Sequence, residues 1–333
     1  MSGPVLAVVV AGRSVAGVAI DRASLEALTV ARELAAGSGT SLDAVVVADA
    51  GAAPGLVASL AGRGIATAIV VDHPALTGDH PDGWAAAVAG VVAARDATTI
   101  VGPGTERGNE LLARVAARLD APFAANVLRA EPGDPLRLSR QRWAGSLIED
   151  AELAGPVRVV SVAPNTLAAA APDGSGPPAA ETIAVSLSDA DLAVHVTGRE
   201  APEAGKISLG DARVVVGGGR GVGSAEGFAD LEELAALLGG AVGGSRVATS
   251  AGWRPHSDQI GQTGLRIAPE LYIACGISGA IQHIVGSRAA KHILAINTDP
   301  EAPIMSVADY AVIGDLHTVV PAISAEIRRR QAG

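Results

Sequence analysis

The strongest constraint on the fold is a repeated alternation of short apolar runs with helical patterns. In the first third of the chain, runs typical of buried strands occur at Val5–Val10, Ala44–Ala48, Ala66–Val71 and Thr98–Val101. Patterns typical of helices follow each of them in turn, at Leu25–Ala36, Pro54–Ala61, Gly83–Arg95 and Glu106–Leu119. Strands that alternate with helices at this spacing predict a parallel sheet covered on both faces.

The middle of the chain has a different pattern. Leu136–Trp143, Leu147–Leu153 and Val157–Val162 are typical of strands without helices between them, so we expect an antiparallel extension of the sheet. Residues 172–179, PDGSGPPA, predict an exposed loop. The charged, glycine-rich segment Thr197–Gly210 predicts a boundary between domains.

The second half of the chain returns to the alternation. Strands are predicted at Ala212–Val216, Leu271–Cys275, His292–Asn297 and Tyr310–Ile313, and helices at Ser224–Leu238, Ser278–Gly286 and Asp315–Arg330. A length of 333 residues supports two domains, which we place at 1–200 and 205–333. The sequence therefore predicts an α/β protein with two doubly wound, Rossmann-like domains.

Composition and charge narrow the possible partners. The formal net charge of −10 would repel a phosphate backbone, and 2% aromatic residues provide few surfaces for stacking bases. We therefore expect no nucleic-acid partner. The one cysteine, Cys275, allows no intramolecular disulfide, which fits a reducing compartment. The N-terminal apolar run is too short to span a bilayer, and no later run reaches that length without polar interruption. We expect a cytoplasmic protein that does not insert into membranes.

A glycine-rich loop follows the first predicted strand of the second domain. Gly217–Gly223, with the sequence GGGRGVG, lies between a strand and a helix, and this arrangement presents backbone N–H groups to a phosphate. The loop does not fit G-x-G-x-x-G in any register, and it lacks the Gly-Lys-Ser/Thr of a P-loop. A tight turn with a solvated Arg220 is therefore an equally good interpretation of this loop alone.

Other polar loops follow later strands. They are Gly243–Arg246, Gln259–Gly264 and Cys275–His283, and two more strands end at Asn297 and Asp315. Structural roles are open alternatives, because Ser245 and Asp315 can cap helices and a lone histidine is often structural. In a parallel sheet, however, ligands bind at the carboxyl ends of the strands. We therefore expect one edge of the sheet to bring together Arg220, Ser245, Thr263, Ser278, Asn297 and Asp315.

These segments resemble one protein family. GGGRG, GGSRVATSAGW, QIGQTG, APELYIACGISGAIQH, AINTDPEAPI and VADYAVIGDL are similar to the C-terminal half of the electron transfer flavoprotein alpha subunit (the ETF-alpha/FixB family). The resemblance is dense over about residues 205–330 and looser over the first 200. It implies that the second domain is a parallel sheet that binds FAD. It also implies that the chain is an electron carrier and not an enzyme, without catalytic residues or a metal.

The resemblance implies roles for individual residues. Arg220 and Ser245 contact the dinucleotide, and Arg246 lies against the isoalloxazine. Gln259–Thr263 line the flavin, with the Thr263 hydroxyl near its N5. Ser278–His283 wrap the pyrophosphate, the ribityl chain and the ring edge, with His283 near the flavin O2, while Asn297 and Asp315 hold the adenosine end. The implied FAD-binding residues are Arg220, Ser245, Arg246, Gln259, Ile260, Gly261, Gln262, Thr263, Ser278, Gly279, Ala280, Ile281, Gln282, His283, Asn297, Asp315 and Leu316.

The same resemblance implies partners. The first domain packs on a beta subunit that carries a structural AMP, so the chain is half of a heterodimer. Electrons arrive from flavin dehydrogenases, typically the acyl-CoA dehydrogenases of fatty acid beta-oxidation, and leave to a quinone oxidoreductase at the membrane. Two other classes stay open from the residues: an NAD-type nucleotide-binding enzyme domain and a flavin-free paralogue.

The polar residue types suit a redox-active flavin. Reduced flavin carries negative charge near N1 and O2, which a guanidinium, an imidazole or a helix N-terminus favours. One positive charge at about 4 Å and an effective dielectric constant of about 20 contributes about 4 kcal/mol. Before screening, this corresponds to about 170 mV for one electron. The charge of Arg246 alone is therefore large enough to shift the flavin potential and set the direction of electron flow.

Overall fold

A computed structural model describes residues 3–331 except 15, 16, 50, 146, 170 and 198–206. The chain divides into two compact units, Met1–Arg199 and Glu200–Gly333. Most of the predicted boundary segment Thr197–Gly210 lies outside the described residues. Within the described residues, none of the helices combines the length and the apolar character that crossing a membrane requires.

The first unit is built on a ten-stranded sheet in the order β10-β4-β3-β1-β5-β9-β6-β7-β8, with β2 paired to β1. The strands are β1 (Val5–Ser14), β2 (Gly17–Ile20), β3 (Leu42–Val47), β4 (Thr67–Asp72), β5 (Thr99–Pro103), β6 (Phe123–Glu131), β7 (Leu136–Arg142), β8 (Leu147–Leu153), β9 (Arg158–Val162) and β10 (Ala179–Ala184). The helices are α1 (Arg22–Ser38), α2 (Ala53–Ser59), α3 (Pro81–Arg95), α4 (Glu106–Arg118) and α5 (Asp189–Leu192). All elements predicted for the first third of the chain are confirmed.

The central strand β1 shows why this unit has two covered faces. Its apolar run alternates between them: Leu6 and Val8 belong to the core on one face, and Ala7 and Val9 to the core on the other. Residues of α1 and α2 complete one core, and residues of α3 and α4 complete the other. A strand buried on both faces is continuously apolar, as the sequence of β1 is.

The middle of the first unit corrects one prediction. β6, β7 and β8 form an antiparallel extension, as expected for the latter two. The assignment of Val157–Val162 to this extension is wrong, because β9 lies between β5 and β6 and is parallel to both. Its valines are almost fully buried, which is typical of a central strand. β2, β6 and β10 were not predicted; β6 is interrupted at Asn126, whose φ is 60°, and β10 is mostly exposed.

The second unit contains an all-parallel sheet of five strands in the order β12-β11-β13-β14-β15. The strands are β11 (Val214–Gly218), β12 (Ala241–Gly244), β13 (Leu271–Cys275), β14 (His292–Asn297) and β15 (Tyr310–Ile313). The helices are α6 (Ala229–Leu237), α7 (Arg246–Ser250), α8 (Ile281–Ser287) and α9 (Leu316–Gln331). From β11 the chain passes to one side for β12 and to the other for β13, so a topological switch point lies between β11 and β13.

Two helices of this unit begin later than predicted. The helix expected from Ser224 begins at Ala229, after a short 3-10 turn at Glu226–Phe228. Gly223, with φ of 81°, and Gly227 both disfavour an α-helix there. The helix expected from Ser278 begins at Ile281, because Gly279 has φ of 81° and turns the chain first. The predicted ranges of β13, β14 and β15 are confirmed.

Candidate functional site

At the switch point of the second sheet, the loops after β11 and β13 contact each other through backbone hydrogen bonds between glycines and their neighbours. After β11, Gly219 N donates to Cys275 O at 2.9 Å, and Gly221 N donates to Gly276 O at 3.0 Å. A Cβ added at Gly221 would lie 2.8 Å from the Cα of Gly276, so this approach tolerates no side chain. Gly276 itself has φ of 61°, which favours glycine. The two loops therefore meet as a glycine-lined surface at the carboxyl ends of the strands, which we call the carboxyl edge.

Ser245 and Arg246 continue the carboxyl edge after β12. Ser245 N donates to Gly218 O at 2.9 Å, which ties this loop to the end of β11. The Ser245 hydroxyl accepts from Ala248 N at 3.4 Å, so its role as the N-cap of α7 is confirmed. Arg246 and Arg220 are exposed and form no ion pair within the described part of the chain. The edge thus carries two cations that have no ion-pair partner among the described residues.

Both ends of the Gln259 side-chain amide form hydrogen bonds within the protein. Gln259 is 2% exposed, its Oε1 accepts from the Thr249 hydroxyl at 2.8 Å, and its Nε2 donates to the Thr263 hydroxyl oxygen at 2.9 Å. The side chain therefore orients Thr263, which is exposed. Because the Thr263 oxygen already accepts one hydrogen bond, its proton is available to an outside acceptor. Sequence reasoning missed Thr249, because a polar residue on a short helix carries no signal of this contact.

The rest of this loop reaches helix α8. Ile260 is 1% exposed, and its backbone N donates to Gly244 O at 2.8 Å. Gly261 has φ of 149°, and Gln262 N donates to Gln282 O at 2.7 Å. The side chain of Ile260 is therefore core, and Gln262 offers an exposed amide at the edge.

Four exposed residues lie in the loop after β13 and the first turn of α8. Ser278, Ala280, Ile281 and Gln282 are exposed, and Ile281 is 68% exposed. Ser278 O accepts from Ile304 N at 3.1 Å, which fixes the loop from behind. Ala280, the residue before α8, makes no capping hydrogen bond through its side chain. This loop therefore combines fixed backbone with apolar and polar side chains open to a ligand.

His283 lies in the first turn of α8 and is 7% exposed. Its Nε2 lies 2.7 Å from the Tyr272 hydroxyl. Its Nδ1 is buried without a hydrogen-bond partner of acceptable geometry in the described structure, although the Ile260 backbone is near the ring. Burial lowers the pKa of His283 from its ordinary 6.5 to about 4, so the ring is neutral at pH 7. An unpartnered buried nitrogen costs about 1–3 kcal/mol, and a ligand atom placed here would recover that cost.

The last two strands bring the remaining residues to the same edge. Asn297 Nδ2 donates to Ile277 O at 2.9 Å, and its Oδ1 accepts from Asp299 N at 3.1 Å, so this amide shapes the loops. Asp315 Oδ1 accepts from His317 N at 3.0 Å and caps α9, which confirms its structural alternative. Its other carboxylate oxygen has no such role. Leu316 is 4% exposed, so its side chain belongs to the core.

These features suit a dinucleotide with a flat ring. Bare glycine backbone and two unpaired arginines suit phosphates, while the Thr263 hydroxyl and the His283 nitrogen suit polar atoms at the edge of a ring. Exposed Val247 and Ile281, at 50% and 68%, offer apolar surface beside them. The residues present therefore fit FAD, the cofactor that the sequence resemblance implies.

Comparison with known proteins identifies the family. Residues 208–288 match the electron transfer flavoprotein FAD-binding domain, and residues 8–188 match the electron transfer flavoprotein domain. The electron transfer flavoprotein subunit alpha of Paracoccus denitrificans is 38% identical over 86% of this chain and 91% of its own length. That of Mycobacterium leprae is 36% identical over 94% and 96%, respectively. That of Bacillus subtilis is 36% identical over 78% and 80%. The chain belongs to the electron transfer flavoprotein alpha subunit family and is a FAD-binding electron carrier with a beta-subunit partner.

Proposed function

We propose that this subunit binds FAD at the carboxyl edge of its second sheet and carries electrons from flavin dehydrogenases to a quinone oxidoreductase. The donors are proposed to be acyl-CoA dehydrogenases of fatty acid beta-oxidation. The observation that carries the placement of FAD is the switch point, where two glycine loops meet beside the unpaired Arg220 and Arg246. The buried thiol of Cys275 suits a reducing compartment, and we propose the cytoplasm.

The phosphates are proposed to bind where the loops after β11, β12 and β13 meet. Arg220 supplies charge, and the Ser245 hydroxyl has a proton left to donate because, among the described residues, its oxygen only accepts. Ser278, Gly279 and Ala280 supply fixed backbone close to the start of α8. A phosphate held by a guanidinium and backbone N–H groups gains charge-assisted hydrogen bonds.

The ring is proposed to lie against Arg246, with its polar edge at Thr263 and His283. FAD, when bound, supplies the redox chemistry, since it takes up and releases electrons one at a time. The protein contributes a fixed positive charge at Arg246 and two hydrogen-bond donors. Gln259 acts through Thr263, because its amide is already paired on both sides. His283 acts as a neutral donor, because burial lowers its pKa to about 4.

The adenosine end is proposed to lie near the ends of β14 and β15. Asp315 has one carboxylate oxygen that does not cap α9, and this oxygen suits a ribose hydroxyl or an exocyclic amine. Asn297 contributes by holding the loop at Ile277, because both ends of its amide are engaged.

The first unit is proposed to pack on the beta subunit, and that subunit is proposed to carry a structural AMP. The match of residues 8–188 to an electron transfer flavoprotein domain supports this role. The net charge of −10 suits brief docking with several partners, because electrostatic attraction speeds encounter more than it tightens binding.

The proposal is tested on the chain co-purified with its beta subunit. An acyl-CoA dehydrogenase and its substrate are added without oxygen, and the oxidised-flavin absorption of the complex is followed. We expect this absorption to decrease in the wild-type complex and to recover when a quinone oxidoreductase and quinone are added. Flavin that no acyl-CoA dehydrogenase reduces would overturn the donor class, and a colourless complex would overturn FAD binding.

A pair of variants locates the site in the same assay. Arg220→Ala removes an unpaired cation at the carboxyl edge, and we expect it to lose flavin. Arg213→Ala is the matched control, because Arg213 precedes the opposite end of β11 and pairs with Glu270 at 2.8 Å. Equal loss of flavin in both variants would contradict the placement at this edge.

A further inference from the structure

Tyr272 is the polar exception in the apolar strand β13. Its side chain is 0% exposed, and it is among the largest side chains that are fully buried. The core would be served equally by phenylalanine, since a buried hydroxyl without a partner costs about 1–3 kcal/mol. The hydroxyl therefore calls for an explanation other than packing.

That hydroxyl contacts His283. The oxygen lies 2.7 Å from Nε2, and the two ring centroids are 6.0 Å apart with an interplanar angle of 31°. The contact is thus a hydrogen bond at the ring edges and not a stack. A Cβ added at Gly217, on the neighbouring strand β11, would lie 2.7 Å from Cε2 and 2.9 Å from Cζ of Tyr272. The glycine leaves the space in which the phenol reaches the histidine.

The burial of the pair determines whether the Tyr272 hydroxyl or the His283 ring donates the hydrogen bond. Burial raises the pKa of the Tyr272 phenol, so it keeps its proton, and burial lowers the pKa of His283 to about 4, so the imidazole is neutral. In the described structure the phenol has His283 as its hydrogen-bonding partner. An O–H that did not donate to Nε2 would be buried without an acceptor, so the phenol donates. A neutral imidazole that accepts at Nε2 carries its proton on Nδ1.

Nδ1 is the ring nitrogen of His283 that does not contact Tyr272. Nδ1 of His283 is buried and makes no hydrogen bond of acceptable geometry within the described residues, although the Ile260 backbone lies near the ring. We propose that Tyr272 is a positioning residue: its hydroxyl holds His283 in the tautomer with the proton on Nδ1, so that Nδ1 donates to the ring of bound FAD. The identity of this acceptor rests on the proposed function, whereas the tautomer rests on the protein alone.

The tautomer is measured directly in the wild-type complex with the beta subunit. The complex is labelled with ¹⁵N-histidine, and the resonances of His283 are identified by their loss in His283→Gln. We expect a protonated Nδ1 and an unprotonated Nε2 at neutral pH. The opposite tautomer, or a mixture in fast exchange, would overturn the proposal, and this measurement does not depend on a variant that has to fold.

A variant pair then tests the effect on the flavin. Tyr272→Phe keeps the ring and removes the hydroxyl, and Tyr310→Phe is the control, because the chain has two tyrosines and Tyr310 is 65% exposed. We expect Tyr272→Phe to make the first one-electron reduction potential more negative and to release the His283 tautomer. Tyr310→Phe should change neither. An unchanged potential with an unchanged His283 spectrum in Tyr272→Phe would overturn the role of Tyr272.

The outcomes separate this proposal from the proposed function. A wild-type complex without FAD, but with the proton on Nδ1, would overturn the flavin as acceptor while the Tyr272–His283 relation stands. A complex with FAD and the proton on Nε2 would leave the proposed function intact and overturn the inference about Tyr272.

Discussion

Both units contain parallel strands with a switch point, but the first unit fills its switch point with its own side chains. There the strands run β4-β3-β1-β5, and the switch lies between β1 and β5. Arg107 forms an ion pair with Asp79 and donates to Ala11 O at 3.4 Å, and Gly78 N donates to Asp49 at 2.5 Å. The cavity left among these residues is about 30 Å³, which holds little more than a water molecule.

The second unit leaves the equivalent place open. Arg220 and Arg246 have no ion-pair partner within the described residues, and glycines line the approach between the loops. The difference shows that strand order supplies only the location. Whether a ligand can bind there depends on whether the chain provides side chains that satisfy one another or leaves polar groups unpaired.

Disrupting the glycine contact at the open switch point should have the largest effect. Gly276→Ala places a Cβ 2.7 Å from Gly221 Cα and 2.8 Å from Leu316 Cδ2, at φ of 61°. We expect a loss of about 3 kcal/mol in the free energy of unfolding and at least a tenfold loss of FAD affinity. Gly39→Ala is the control, because Gly39 has φ of 64° with nothing within 4 Å of its added Cβ; it should cost about 1 kcal/mol. Denaturant unfolding measures the stability of both variants, and FAD content measures their binding of the cofactor. Equal effects of Gly276→Ala and Gly39→Ala would contradict the account.

The buried, neutral His283 should make stability depend on pH. Its pKa falls from 6.5 unfolded to about 4 folded, so between these values only the unfolded chain binds the proton. Stability is therefore full above pH 6.5 and decreases as the pH falls toward 4, by about 1.4 kcal/mol per unit and about 3 kcal/mol in all. The measurement is urea unfolding of FAD-saturated wild-type and His283→Gln complexes from pH 7 to pH 4.

The variant without this histidine should show a flatter pH dependence than the wild type. His317→Gln serves as control, since His317 is exposed. Parallel curves for the wild type and His283→Gln would show that His283 carries no such cost.

Removing a positive charge should affect the flavin potential at the second switch point and only stability at the first. Arg246→Ala removes an unpaired cation, and we expect the first one-electron potential of bound FAD to fall by about 60 mV, because exposure screens the full Coulomb effect. FAD should remain bound. Arg107→Ala breaks the ion pair with Asp79, which is partly exposed, so stability should fall by at most about 1 kcal/mol while the potential stays constant. A redox titration that finds no shift for Arg246→Ala would rule out its proposed role.

The smallest effect separates the two roles of Asp315. Asp315→Ala removes both the helix cap and the second carboxylate oxygen, while Asp315→Ser keeps a capping group. We expect Asp315→Ala to cost about 1 kcal/mol of stability and Asp315→Ser to cost little. Both should weaken FAD retention more than they shift its potential. Full FAD retention in Asp315→Ser would show that Asp315 acts only as the cap of α9.

The sequence predicted the elements better than their pairing. Periodicity located β1, β3, β4, β5 and the helices between them, because each pattern is local. It misplaced β9, since the neighbours of a strand in a sheet are set by distant segments. The shared edge of the polar and glycine-rich loops was predictable, because each loop follows a strand of a parallel sheet.

The use of individual side chains at the site was harder to predict. Gln259 is expected to line the flavin, and its hydrogen bonds to Thr249, ten positions away, and to Thr263 carry no signal in the sequence. The phenol of Tyr272 looks like core in sequence, and only its distance to His283 reveals another use. Residue type at a strand end thus identifies candidates, whereas their orientation depends on contacts that no local pattern contains.

The most direct test of the central claim is the FAD content of the purified complex with the beta subunit, compared between Arg220→Glu and Arg107→Glu. If the open switch point of the second sheet binds the flavin, wild type and Arg107→Glu should contain about one FAD per heterodimer at this edge, and Arg220→Glu far less. A colourless wild type, or equal FAD loss in both variants, would contradict the account. A second FAD that survives Arg220→Glu would place another flavin outside this edge.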